Sequence, residues 1–395
     1  MNCDQSPLNP IAVSSPEENN GTIRVLLLST SYPRDTSDWR GIFMRHLISA
    51  LARVRELKLS VWAPPGELPS AVIPIVTPGE KAWLTQLMEA GGVSHLMRSR
   101  SKSAILAPLK LILMIRMVYR RHVDIDIYHI NWLQCALPLP NNNKPALITV
   151  LGNDLKLLHL PFMKSLLRRV AKKHRIAICP NAEWMQAPLH AAFGDVAKVI
   201  PVSFGIDPGW YAIQRRLSEE SPKRWLAVTR LTADKLGPLF DWSCDLFYNS
   251  DRELHLFGPM QEIITVPQWV HYHGAASPEQ LMTEWFPSAQ GLITLSRHAE
   301  GRPQVMLEAM AAGLPIIASH IPAHSTIVDD GNTGILCESC EELQLALKTL
   351  EDTATNERFG LAARTRISGM MGTWDDCAQR YIRIYRLLLR NKVTE

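Results

Sequence analysis

At 395 residues the chain is long enough for about two domains of ordinary size. With 46% hydrophobic and 20% charged residues it has the make-up of a soluble globular enzyme, which excludes wholesale disorder and a bundle of membrane helices. The net charge of +4 conceals an asymmetry: residues 1–20 carry three acids and no base, residues 21–207 carry 24 Lys/Arg against 12 Asp/Glu, and residues 208–395 carry 18 against 23. A basic first half joined to a mildly acidic second half points to two domains with different partners. No run of about 18 uncharged apolar residues occurs, since the best stretch, Ala104 to Tyr119, is broken by Pro108, Lys110 and Arg116. The first residues lack the basic and apolar regions of a secretory signal, and the seven scattered cysteines suit a reducing compartment, so a cytoplasmic location is expected.

In chain order, the polar residues 1–20 read as a disordered lead-in. The near-continuous apolar run Thr22 to Thr30 fits a strand buried on both faces, as in parallel sheets. Phe43, Leu47, Leu51 and Val54 then recur at helical spacing. Leu57 to Trp62, Ile125 to Ile130, Ala146 to Val150, Ile176 to Cys179 and Val199 to Val202 read as further strands with helices between most of them. The alternation restarts at Trp225, with strands expected at Trp225 to Thr229, Glu253 to Phe257, Trp269 to His273, Gly291 to Leu295 and Pro315 to Ser319. Helices are expected at Pro278 to Trp285 and Gln304 to Ala312. This predicts an α/β protein of two Rossmann-like doubly wound domains facing a cleft. The expected divisions are 1–20, a first domain over 21–207, a linker over 208–223, a second domain over 224–372, and a closing helix over 373–395 that crosses back to the first.

The most informative segment runs from His298 to Ser319, HAEGRPQVMLEAMAAGLPIIAS. A loop carrying Glu300 and Gly301 precedes a helix in which Pro303 suits the first turn, and Gly313 ends that helix. Free N–H groups around Pro303, Gln304 and Val305 would bind phosphate through the helix dipole. Glu300 in the loop and Glu308 on the helix could then grip sugar and ribose hydroxyls. AVTRLTADK, Ala227 to Lys235, places Arg230 and Lys235 on a strand-to-helix loop, where two cations can neutralise a leaving diphosphate without metal.

Glu-Gly-x-Pro followed by Leu-Glu-Ala-Met-Ala-x-Gly-x-Pro resembles the signature of retaining glycosyltransferases of the GT-B fold, family 4 type (glycosyl transferases group 1). The resemblance is strong over about 225–340 and diffuse over 22–205. It implies that the second domain binds a nucleotide-diphosphate sugar such as a UDP- or GDP-sugar and the first domain the acceptor, with no cofactor and no metal. Glu308 would hold the ribose, Glu300 the transferred sugar, and Arg230 with Lys235 the diphosphate. Gly301, Arg302, Pro303, Gln304 and Val305 would lie on the donor side, together with Gly258, His273 and, from the first domain, Gly41. His271 and His273 alternate along one strand and either line the nucleobase pocket or serve the structure. VIPVSFGID, Val199 to Asp207, looks like the family's interdomain stretch, and TWDDCAQRYIRIYRLL, Thr373 to Leu388, like its closing helix.

In the first domain His129 at a strand end is a candidate acceptor-side or sugar-side group. ITVLGNDLKLL, Ile148 to Leu158, resembles a family loop in which a histidine contacts the donor sugar, but Leu151 stands in its place. Asn153 and Asp154 could supply polar groups from the same loop. Asp124-Ile-Asp126 leads directly into an apolar strand and is not read as a metal motif, and Cys337-Glu-Ser-Cys340 has no second pair to make a zinc site. Seven Lys/Arg and no acid lie between Ala90 and Val123, and seven more, again with no acid, between Leu155 and Arg175. Mixed with Leu and Met, they read either as a solvated face or as helices lying on an anionic membrane surface. No aromatic platform or motif for nucleic acid accompanies them.

The sequence thus predicts a glycosyltransferase acting on a glycan or lipid-linked saccharide in surface polysaccharide or glycolipid biosynthesis, cytoplasmic or peripheral at the membrane. The alternatives are a soluble transferase with a small acceptor and a degenerate transferase kept as a scaffold, for which Leu151 is the only support.

Overall fold

The computed structural model describes residues 21–35, 38, 40–91, 102–152, 154–217, 222–298 and 302–390. Two all-parallel sheets organise them. The first is built from β1 (Ile23–Leu28), β2 (Leu57–Trp62), β3 (Ile73–Pro74), β4 (Ile127–Asn131), β5 (Ala146–Val150), β6 (Ile176–Pro180) and β7 (Lys198–Val199), in the order β3-β2-β1-β4-β5-β6-β7. The second contains β8 (Lys223–Val228), β9 (Arg252–Phe257), β10 (Val270–Tyr272), β11 (Gly291–Thr294), β12 (Ile316–Ser319) and β13 (Gly334–Cys337), in the order β10-β9-β8-β11-β12-β13. Each order reverses direction once, between β1 and β4 and between β8 and β11. Such switch points, at the carboxyl ends of the strands, are where open α/β sheets bind ligands.

The strands are apolar throughout because both sheet faces are covered. In β1, Leu26 and Leu28 enter one core with α2 (Pro78–Glu89), α3 (Lys102–Arg121), α4 (Met163–Ala171) and α5 (Gln186–Phe193). The alternate residues Val25 and Leu27 enter the opposite core with α1 (Ile42–Ala52). The second sheet repeats the division: Leu226 and Ile316 face one core, Trp225 and Ile317 the other. Its helices include α6 (Ala233–Leu236), α7 (Leu239–Phe247), α8 (Gln304–Ala311), α9 (Cys340–Leu350) and α10 (Thr353–Met370). The last helix, α11 (Trp374–Arg390), belongs to the first sheet's core, where Tyr381, Tyr385 and Leu388 are buried beside α1.

Some expectations need adjustment. Residues 278–288 are not one helix but an α-turn, a π-helical turn at Leu281–Trp285 and a 3₁₀ turn. Pro303 is the N-cap of α8, in extended conformation, rather than its first helical residue. Gly334–Cys337 pairs with β12 as a further strand, one that the sequence pattern did not mark. Cys337 ends that strand and Cys340 opens α9. The D-x-D carboxylates Asp124 and Asp126 precede β4, at the end of the sheet remote from the switch point, and both pair with Arg24 of β1.

His129, expected on the acceptor or sugar side, lies wholly inside the first domain. Its Nδ1 is 2.6 Å from the Tyr385 hydroxyl and its Nε2 2.9 Å from Thr149 Oγ1, which is itself 3.0 Å from the Tyr381 hydroxyl. The imidazole therefore ties α11 to the sheet, and no ligand can reach it. Burial drives its pKa down to about 3, so it is neutral in the fold. In the unfolded chain it titrates near the usual value of 6.5. The folded pKa is the lower one, so this group contributes stability above pH 6.5 that drains away as pH falls toward 3. His129→Gln should flatten that part of the stability–pH curve. Tyr385→Phe, which strips a partner from a buried ring, should cost about 1–3 kcal/mol in urea unfolding at pH 7.5. Unchanged unfolding midpoints in both variants would refute this role.

Candidate functional site

The carboxyl ends of β8, β9 and β11 converge. Thr229 N donates to Phe257 O at 2.8 Å and Leu231 N to Pro259 O at 2.9 Å, so the loops after β8 and β9 run together. Gly258 makes this approach possible: its φ is +139°, and a Cβ there would sit 1.7 Å from Thr229 O. Arg230 Nη1 donates to Gln261 Oε1 at 3.3 Å across the same pair of loops. Thr232 caps α6, accepting from Lys235 N at 3.3 Å, and places Lys235 one turn further on. Asp234 O accepts from Arg297 N at 2.8 Å, which sets the Lys235 turn against the loop that leaves β11 toward α8. Arg230 and Lys235 thus lie at the second sheet's switch point. Glu300 and Gly301, on that same β11–α8 loop, fall outside the described residues, as does Asn153.

The start of α8 rests on the chain passing between the two sheets. Gln304 Nε2 donates to Gly205 O at 3.2 Å, and Arg302 Nη1 donates to Ser203 Oγ at 3.0 Å. Arg302 was expected on the donor side, but its guanidinium is buried with only 8% of the residue exposed, and it reaches Ser203 and Met371 Sδ instead. Only its backbone is left to meet a ligand. Val305 packs on the core behind the helix.

Glu308 lies one turn into α8, among the buried Met306, Leu307 and Ala309. Burial pushes its carboxyl up to about 7, and the Asp207 carboxylate adds to the rise. Among the described residues no side chain hydrogen-bonds this carboxylate. Asp207 itself caps the turn Pro208–Tyr211, accepting from Gly209 N at 2.8 Å. In the sequence Asp207 was read only as the end of the interdomain stretch, with no part in the site.

On the first-domain side, Gly41 starts α1 at φ +75°, and a Cβ there would lie 2.4 Å from Ser31 Oγ, so the loop after β1 folds tightly under the helix start. Asp154 does not face the switch point. Its carboxylate is 2% exposed and accepts from Leu133 N at 2.9 Å and Leu151 N at 2.7 Å, pinning its own loop. Burial lifts its pKa to about 7 against the pull of those two donors. Sequence reading also missed a cavity of about 420 Å³ at the carboxyl ends of β1 and β2, lined by Tyr32, Arg34, Arg40, Pro65, Lys81 and Met88. The only hint of it was the pair of arginines in the β1–α1 loop.

His273, past the end of β10, is exposed and belongs to an aromatic group. Its ring lies 4.7 Å from Phe257 and nearly parallel to it, and 4.6 Å from Trp285 in the π-helical turn. Its Nε2 is 2.9 Å from His255 Nδ1, and His255 Nε2 is 3.0 Å from Glu253 Oε2. His271 also stacks on His255, at 4.9 Å, so His271 and His273 do share one side of the strand. Burial of His255, and partial desolvation of the His273 ring against Phe257 and Trp285, hold both pKa values below the usual imidazole value. The aromatic group offers a flat surface beside Gly258.

Residues 246–352 match the family described as Glycosyl transferases group 1. The D-inositol 3-phosphate glycosyltransferase of Thermomonospora curvata is 28% identical over 110 residues, which is 27% of this chain and 25% of that protein. The chain thus aligns with about a quarter of the length of such relatives. The sucrose-phosphate synthase of Thermosynechococcus elongatus superposes with a TM-score of 0.67 at 17% identity, covering 94% of this chain and all of that one. The Anabaena protein HepE, solved in complex with UDP and glucose, gives 0.61 at 15% identity over 92% of this chain and 99% of its own. With its two parallel-sheet Rossmann-like domains, the chain has the fold of the GT-B glycosyltransferases.

Proposed function

We propose that the protein is a glycosyltransferase that moves a hexose-type sugar from a nucleotide-diphosphate sugar, a UDP- or GDP-sugar, to a saccharide acceptor with retention of anomeric configuration. The observation that carries this reading is Glu308: a largely desolvated carboxylate with no side-chain partner among the described residues, on the helix that opens at the second sheet's switch point, inside the group 1 glycosyltransferase segment. A ribose diol supplies the donors that such a carboxylate lacks. Arg230 and Lys235 would hold the diphosphate together with the N–H groups of Gln304 and Val305, and Gly258 with His273 would border the base. Glu300 would hold the transferred sugar, and Gly41 would let the first domain's backbone approach the phosphates.

The acceptor oxygen bonds to the anomeric carbon as the bond from that carbon to the diphosphate oxygen breaks. The acceptor proton passes to the departing diphosphate. The chain's part is positioning and fixed positive charge rather than a covalent intermediate. The acceptor we favour is a glycan or lipid-linked saccharide of surface polysaccharide or glycolipid synthesis, met at the cytoplasmic face of a membrane. The cavity, where Arg34, Arg40 and Lys81 meet Glu67 and Glu89, favours a second reading, a small polar acceptor. Product analysis with both acceptor classes decides between them.

Glu308→Gln should weaken UDP binding about tenfold, because a neutral amide accepts from hydroxyls less strongly than a carboxylate. Hydroxyls donating to Glu308 pull its pKa back down. UDP binding near pH 6.5 should therefore release a proton, visible by calorimetry in buffers of different ionisation enthalpy and lost in the variant. Binding without proton release in the unaltered protein would exclude this seat for the ribose.

The raised pKa also carries a stability cost, absent below the ordinary carboxylate range and complete above about pH 7. Without ligand, Glu308→Gln should accordingly be more stable than the parent at pH 8, by about 2 kcal/mol, and no more stable at pH 4. The reverse order would show that the carboxylate is stabilised in the fold.

Glu300→Ala should lower turnover more than donor affinity, and Arg230→Ala or Lys235→Ala should cost about 10²–10³ in kcat. Transfer should survive EDTA, because these cations and a helix N-terminus stand in for a divalent ion. Abolition by chelator with recovery on adding manganese would overturn the role given to the two cations.

A further inference from the structure

The first domain turns an unusual surface to solvent on its α2–α5 side. Helix α3 buries Leu111, Ile115, Val118 and Tyr119 against the sheet. Yet on its other side Leu106, Leu109, Leu113 and Met117 are 62%, 57%, 54% and 49% exposed. At 100° per residue these four fall with Lys110, Arg116 and Arg120 inside an arc of about 120°. The three cations are all exposed. The outward face of α3 is therefore a row of leucines and a methionine flanked by positive charge.

Helix α4 packs on the same face of the sheet through Leu167 and Ala171. Its outward side presents Leu166, 47% exposed, with Arg169, Lys172 and Lys173. Phe162 stands at its start, 81% exposed and held at φ +63°. Leu160, just before it, is 46% exposed. Because α3 and α4 belong to one helical layer, their outward sides face the same way.

Not every cation of these stretches is part of this surface. Arg168 is held by Asp195 and Arg121 by Glu80, while Arg175 donates to Leu388 O. What remains is Lys110, whose ammonium also lies 5.3 Å over the Trp83 ring, with Arg116 and Arg120 on one helix, and Lys164 and Arg169 on the other with Lys172 and Lys173 just past its end; neither helix carries an acid.

We infer that this face docks on an anionic lipid surface, with the leucine row of α3 and the Phe162 corner entering the headgroup region. Charge complementarity selects the occupant. Cations interleaved with exposed long apolar side chains match a plane that is negative above and apolar below. A nucleic acid would use the charges but leave the leucines, methionine and phenylalanine in water, and a purely apolar partner would leave seven cations to be desolvated. No described helix is long and apolar enough to cross a membrane, so the contact is one of lying on the surface. The inference gives a location to the lipid-linked acceptor proposed above, but it stands on the surface alone, and its test does not use transfer activity.

The test is co-sedimentation of the full chain with vesicles of equal parts phosphatidylcholine and phosphatidylglycerol, and with phosphatidylcholine alone. Binding should need the anionic lipid and fall at least tenfold between 50 and 500 mM salt. It should also fall at least tenfold in two variants whose altered residues are exposed: Leu109→Gln with Leu113→Gln and Met117→Gln, and Phe162→Asn with Arg169→Ser, Lys172→Ser and Lys173→Ser. Both variants should keep the parent's UDP affinity and melting temperature, which separates loss of docking from loss of fold or donor site. Equal binding to neutral vesicles, or no binding at low salt, overturns the inference. So does a leucine variant that binds vesicles as the parent does, or tighter binding to duplex DNA or RNA than to anionic vesicles at the same salt. Sedimentation velocity adds a further refutation: a dimer that the leucine variant abolishes would mean that the row is covered by a second copy of the chain.

Discussion

The chain passes between its two sheets twice, and the two passages lie against each other. Ile206 and Thr373 form a parallel bridge, Ile206 N donates to Gly372 O at 3.1 Å, and a Cβ on Gly205 would run into the Thr373 backbone. Arg380 of α11 donates to Ser203 O at 3.0 Å and to Met371 O at 2.7 Å, so one guanidinium grips both passages. Much else is fixed by this contact. The outgoing passage accepts the Gln304 and Arg302 side chains and so positions the start of α8. The returning passage delivers α11 to the first sheet, where the buried His129 network receives it.

The two ends of α8 are treated differently. Its last carbonyls are satisfied by arginines: Arg364 donates to Ala311 O and Ala312 O at 3.0 and 2.8 Å, and Arg215 donates to Gly313 O at 2.8 Å. Cations at a helix C-terminus offset the negative end of its dipole as well as capping orphan acceptors. Burial pulls the Arg215 pKa down to about 10, yet it is still protonated at neutral pH and its carbonyl partners are buried with it. The opposite end, at Pro303, has no side-chain cap among the described residues. One end is saturated by the protein and the other offers its N–H groups to the switch point, which is the polarity an anionic ligand requires.

The sequence was most readable where burial on two faces leaves a period-free apolar run. Strands β1, β5, β6 and β8 were all visible that way, and with them the division into two sheets. The α8 segment was legible because glycine, proline and glutamate punctuate it. What escaped depends on partners distant in the chain. Arg24 and Asp126 are 102 residues apart, and His129 and Tyr385 are 256 apart. Nothing local marks either pair. A histidine at a strand's end is the same letter whether it faces a ligand or a tyrosine on the last helix. Arg302 was misjudged for a related reason: its neighbours in the string border the switch point, but its own side chain turns the other way. The short β3 makes too little pattern to be seen, because a two-residue strand is recognised only by its neighbour, and β7, expected at Val199 to Val202, is shorter and starts one residue earlier, at Lys198–Val199.

The paired passages have a mechanical consequence. Any rotation of one sheet against the other must leave the Ile206–Thr373 contact nearly still, because two backbones hydrogen-bonded side by side cannot slide without breaking it. That contact is a fulcrum, and the start of α8 is bolted to it through Gln304. A rotation that displaces the start of α8 by a fraction of an ångström would therefore swing the parts of the two domains far from that contact through several times that distance.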